Sequence, residues 1–114
     1  MTKYISFAVG GGDDPAWADP ERAEQALQAY LAWDERLREQ GRMVDGGGLG
    51  DEAKVLRKNG EGVVVSNGPF AETQDVVGGY AVFEAESMAE AVELCRDHPH
   101  LDFGFIEIRE LTLE

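Results

Sequence analysis

Glu107 and Arg109 lie two residues apart in the run Phe103 to Leu111, where Ile106 and Ile108 alternate with Phe105, Glu107 and Arg109. In a strand, residues two apart leave the same face, so a carboxylate and a guanidinium would stand together beside Phe103 and Phe105. Such a group can move a proton, with Glu107 as acid or base, and grip an anionic ligand through Arg109 against the Phe105 ring. It can equally be an ion pair at a subunit interface, and both readings stand. If the first strand turns Ile5, Phe7 and Val9 toward the helices, Tyr4 and Ser6 join this ligand-binding group. Asp34 falls within the apolar stripe of a long helical segment, where a desolvated carboxylate acquires a raised pKa suited to acid–base work. Its alternative is pairing with Arg38 one turn on. His98 titrates near neutrality and is a candidate general base, or a helix-terminal side chain meeting the last carbonyls. Glu72 and Thr73 follow a Gly-Pro-Phe turn and would line a cavity mouth or stabilise that turn.

These groups must be positioned by the elements around them. Residues 3–9 are rich in β-branched and aromatic types and stop at Gly10-Gly11-Gly12, which reads as a strand. Asp19-Pro20 supplies an N-cap and a proline at the first helical position. The helix runs to Gln40, with Ala23, Ala26, Leu27, Tyr30, Trp33 and Leu37 on one stripe and Gly41 as its stop. Met43 to Leu49 is a weaker strand interrupted by three glycines, a place where another backbone approaches closely. Residues 54–58 and 62–66 flank Asn59-Gly60, a hairpin turn signal. Residues 79–84 form another strand. Ser87-Met88-Ala89-Glu90 is a capping box opening a second helix whose stripe is Met88, Ala91, Val92 and Cys95. Pro99 ends that helix by Asp97, and residues 103–111 close the chain as a strand.

The order β-α-β-β-β-β-α-β contains two strand–helix–strand crossovers with a hairpin between them. Right-handed crossovers put both helices on one face of an antiparallel sheet, an α+β fold of the ferredoxin-like kind. Two helices leave the other face without cover, and a second copy of the chain is the expected partner for it.

The chain has 114 residues and a formal charge of −13, which is one acidic domain with room for one core. That charge opposes direct binding to nucleic acid or to an anionic membrane. One cysteine, Cys95, and no secretory or membrane-spanning run lead to the expectation of a cytoplasmic protein. Gly10-Gly11-Gly12 is followed by Asp13-Asp14 and no lysine, so it is not a phosphate loop. His98-Pro99-His100 splays its rings without a third ligand at fixed spacing, so no metal site is expected. No cofactor fingerprint is visible. Cys95, on a buried stripe, reads as packing.

The run Asn67-Gly68-Pro69-Phe70-Ala71-Glu72-Thr73, followed by Gly78-Gly79-Tyr80 and by Ile106-Glu107-Ile108-Arg109, resembles the DGPF group of the YCII-related family. Asn67 stands where that group's name-giving motif has Asp. The resemblance implies a ferredoxin-like domain that pairs into a dimeric α+β barrel. It also implies two roles. One is an enzyme acting on a small organic molecule, for which the candidate residues above suit cofactor-independent proton transfer, isomerisation or hydrolysis. The other is a regulatory module linked to transcription through a protein partner, as in relatives fused to sigma-factor-like regions.

Overall fold

The computed structural model describes residues 1–69 and 76–112. Six strands and two helices follow in the order β1 (Thr2–Val9), α1 (Pro20–Glu39), β2 (Met43–Gly48), β3 (Ala53–Asn59), β4 (Gly62–Gly68), β5 (Val77–Ala85), α2 (Met88–Cys95) and β6 (Phe105–Glu110). Short 3-10 turns, Pro15–Ala18 and Pro99–Asp102, precede α1 and β6. The expected α+β, ferredoxin-like order is thus present. The strands divide into a four-stranded antiparallel sheet, β2-β5-β1-β6, and a separate β3-β4 hairpin.

Local chemistry accounts for the boundaries. The Asp19 carboxylate accepts from the amides of Glu21 and Arg22, Pro20 occupies the first turn of α1, and Gly41 takes φ of +72° just past its end. The Ser87 hydroxyl accepts from Glu90 N–H, and the Glu90 carboxylate accepts from Glu86 N–H, a reciprocal cap on α2. Pro99 and the His98 side-chain cap start a 3-10 turn over Pro99–Asp102, and β6 begins only at Phe105, two residues after the expected Phe103.

Cross-strand pairing puts Tyr4 opposite Phe83 and Ser6 opposite both Ala81 and Ile108. This face meets the helices: Tyr4, Phe83, Ala81 and Ala85 pack with Trp33 and Leu37 of α1 and with Ala91 and Cys95 of α2. Ile106 and Ile108 border the same core, as their alternation predicts. The first strand has the opposite register from the one that would join Tyr4 and Ser6 to Glu107. Ile5 and Phe7 turn away from the helices, and Val9 is buried only after an irregularity between Ala8 and Val9 shifts the phase. In α2, Ala91 and Cys95 are buried while Met88 and Val92 are largely exposed, because eight residues cover only part of the sheet.

The β3-β4 hairpin stands out from this body. Leu56, Val63 and Val65 are 64%, 58% and 59% exposed, and the molecule measures 48 × 39 × 18 Å. Among the described residues no helix is long and apolar enough to cross a membrane.

Candidate ligand pocket on the helix-covered face

Two side chains that sequence alone placed far apart, Asp34 in α1 and His98 after α2, border one cavity of about 510 Å3. Ser6 and Ala8 of β1 and Ala81 of β5 form part of its sheet side, and Tyr30 and Trp17 stand on the helix side. Glycines 46–48 and 78–79 line one end. Their lack of side chains does two things: it leaves volume, and it lets β2 and β5 approach until a Cβ on Gly79 would lie 3.3 Å from the Gly47 carbonyl oxygen. The close approach expected at the triple glycine is therefore present, and it shapes a wall.

A polar and aromatic cluster organises the other end. Trp17 Nε1–H donates to the Gly11 carbonyl at 2.8 Å, and its ring lies against Phe103. A Cβ on Gly11, whose φ is +79°, would come within 2.7 Å of Phe103, so the turn tolerates only glycine. The Tyr30 hydroxyl is 2.8 Å from His100 Nδ1, and His100 Nε2 is 2.9 Å from the Val9 carbonyl oxygen. A carbonyl only accepts, so Nε2 of His100 carries a proton; in the neutral ring Nδ1 then accepts from Tyr30. Desolvation, with the Asp102 charge adding to it, pushes the Tyr30 phenol up to about 12. His100 N–H in turn donates to His98 Nδ1 at 3.1 Å, and the His98 ring packs 4.5 Å from that of Trp33. Burial, then the neighbouring His100, lowers the His98 pKa to about 4, so its ring is neutral at pH 7. Arg36 holds both Asp97 oxygens, pinning the end of α2 to α1 beside His98.

Asp34 is half-buried at the cavity edge and accepts no hydrogen bond among the described residues. Burial raises its pKa, and Arg38 opposes that rise as a nearby charge. No Asp34–Arg38 ion pair forms among the described residues.

The other sequence candidates separate by face. Ser6 is buried and lines the cavity, whereas Tyr4 lies in the core against Phe83. Glu107 and Arg109 are exposed on the opposite face, across from Phe7 and Ile5, and Phe105 on the same strand is 46% exposed. None of these three borders the cavity. Glu72 and Thr73 lie outside the described residues. Cys95 is buried, which raises its thiol to about 12 and suits packing. Tyr30, Trp17 and His100 carry no sequence signal for this pocket, His100 having been weighed only as a metal ligand. Tyr30 was legible only as part of a helical stripe, and no spacing rule joins it to His100, 70 positions away.

Residues 6–113 match the YCII-related domain. The chain belongs to the YCII-related family. An uncharacterised protein of Rhizobium meliloti (strain 1021) is 31% identical to it, over 65% of this chain and 68% of that one. Among solved structures, 5-chloro-2-hydroxyhydroquinone dehydrochlorinase from Burkholderia phenoliruptrix AC1100, in complex with 2,5-dihydroxybenzoquinone, superposes with a TM-score of 0.55 at 16% identity. That likeness covers 98% of this chain and 95% of the dehydrochlorinase, and it establishes the shared fold.

Proposed function

We propose that this YCII-related protein binds a small, flat, oxygenated organic molecule in the helix-side cavity and catalyses cofactor-independent proton transfer on it, with Asp34 as the proton acceptor. The observation that carries this reading is a carboxylate of raised pKa at the wall of a 510 Å3 cavity, beside buried histidines, with no hydrogen bond of its own among the described residues. A raised pKa makes Asp34 a better proton acceptor than an ordinary surface carboxylate, and partial dehydration leaves its oxygens available. Trp17 and Tyr30 offer flat apolar surface on one side of the cavity, and the glycine stretches offer a wall without side chains. A flat oxygenated ring is also what the structural neighbour holds, in the form of 2,5-dihydroxybenzoquinone. The regulatory, transcription-linked role draws no support from these comparisons.

The companion proposal is that a second copy covers the open sheet face. Ile5, Phe7 and Val82 form a half-buried apolar centre there, with Asp45 on β2 at one margin and Glu107 and Arg109 on β6 at the other. Acidic and basic groups on one patch suit a two-fold contact, in which a patch meets its own copy. On this reading Glu107, Arg109 and Phe105 serve assembly, and the cytoplasm is its setting.

The test of the catalytic reading is proton exchange at the ring carbons of 2,5-dihydroxybenzoquinone in deuterated water, followed by NMR. Wild type should accelerate exchange and Asp34→Asn should not, while both bind the compound. Equal rates in the two proteins, or no binding by wild type, overturn the assignment.

A further inference from the structure

His98 offers a lone pair to the protein and carries its proton on the other ring nitrogen, a polarity set by main-chain geometry. Its Nδ1 lies 3.1 Å from the His100 amide nitrogen, which can only donate. Nδ1 therefore accepts, and a neutral imidazole so placed carries its single hydrogen on Nε2. That nitrogen has no hydrogen-bond partner among the described residues. It is not sealed in, because among those residues no fully buried side-chain nitrogen or oxygen lacks a partner. His98 is only 9% exposed and borders the cavity, so the space left to an Nε2 that is neither partnered nor sealed is sought there.

We propose that His98 serves this pocket as a fixed hydrogen-bond donor, its Nε2–H receiving a carbonyl or oxyanion oxygen of the ligand, and that Tyr30 and His100 are positioning residues that hold it in that form. The proposal rests on the catalytic reading above and adds the class of ligand: a small carbonyl compound with an acidic hydrogen. Asp34 then takes that hydrogen as the substrate's C–H or O–H bond breaks. The electron pair left behind moves onto the oxygen facing His98, where the N–H stabilises it. Charge is conserved, with the negative charge passing from Asp34 to the substrate oxygen, and no oxidant or metal is consumed.

The supporting frame is unusually constrained. The amide that sets the His98 tautomer belongs to a residue held at both ring nitrogens, by Tyr30 and by Val9. Gly104 makes that anchorage possible, since a Cβ there would stand 2.1 Å from the Val9 oxygen and 2.9 Å from His100 Nε2. The rings of Trp33 and Tyr30 both pack against that of His98, at centroid distances of 4.5 and 5.8 Å. A second proton on His98 would set N–H against N–H at the His100 amide, so the donor form resists charging by geometry as well as by burial.

The first test needs no ligand. In protein labelled with 15N at histidine, at pH 7, the His98 signals should show a protonated Nε2 and an unprotonated Nδ1. The reverse tautomer or a doubly protonated ring overturns the proposal. Tyr30→Phe leaves the Val9 carbonyl to fix the His100 tautomer but removes the anchor at its Nδ1, so the His98 signals should shift toward a mixture of tautomers; an unchanged single His98 tautomer removes Tyr30 from the positioning role. The second test compares acetophenone with ethylbenzene, similar molecules with and without an acceptor oxygen. Wild type and His98→Gln, whose amide can donate from a similar position, should prefer acetophenone by about tenfold, and His98→Ala should lose the preference. A preference that survives in His98→Ala, or is missing from wild type that binds both compounds, overturns the donor role. Binding of neither compound by wild type overturns the ligand class. If 2,5-dihydroxybenzoquinone still binds, the failure belongs to this inference and not to the pocket itself.

Discussion

The two faces of the four-stranded sheet are built from alternate residues of the same strands and have opposite chemistry. On the helix side, Tyr4, Ser6, Ala81 and Phe83 are nearly dry, and the buried His98 is held there by the His100 amide. On the open side, Ile5, Phe7 and Val82 are half-exposed and the charged groups of β6 reach water. The charged pair of β6 thus stands away from the cavity, on the face that the helices leave open. Desolvation makes an ionisable group chemically unusual, and it acts on Asp34 and His98 on the covered face.

Breaking the covered face should have the largest consequences. Asp34→Asn removes the proposed proton acceptor at a half-buried position, so turnover should fall by about 10²–10⁴-fold while the melting temperature holds or rises. Loss of the fold instead would make Asp34 structural. Phe83→Ala empties the centre of the core and should cost about 3–5 kcal/mol by urea unfolding. A cost below about 1 kcal/mol would show that the core lies elsewhere.

The open face should respond in assembly and not in folding of the single chain. Phe7→Asp places a charge at the centre of the proposed contact, so sedimentation should shift toward a 12.5 kDa species with circular dichroism unchanged. If wild type already sediments as that species, the dimer proposal falls.

Acid titration separates the faces more finely. The folded-state pKa of His98, about 4, lies below the ordinary 6.5, so the unfolded chain binds the extra proton first as pH falls. Stability from this group is present above pH 6.5 and is lost between there and about 4. His98→Gln should flatten the slope in that window; an unchanged slope would show that His98 is not the group responsible. The smallest effect is expected at Arg36–Asp97: both side chains are substantially exposed, and Asp97→Asn should cost no more than about 1 kcal/mol.

Most elements were legible because their signals are local. Asp19-Pro20, Ser87 with Glu90, Gly41 and Asn59-Gly60 act on groups a few bonds away, and the caps and turns stand where those residues put them. Asp34 was legible as a candidate, and it does border the cavity, because a carboxylate in an apolar stripe is anomalous on any helical wheel. The face of β1 was not, because Tyr4-Ile5-Ser6-Phe7 is apolar or aromatic at three of four positions, and both registers bury something worthwhile.

By itself the sequence determined the order of strands and helices, their caps, the acidic charge and the presence of an uncovered sheet face, since these follow from short-range pattern and from counting. Tertiary structure alone decided which side of the sheet carries the cavity, and that Tyr30, His98 and His100 meet there. It also decided which nitrogen of His98 is free. Those outcomes depend on contacts between residues as many as 91 positions apart, such as Val9 with His100, and on an amide's direction in a four-residue turn. No spacing rule encodes either, because each is settled by how the sheet and helices pack after the local elements exist.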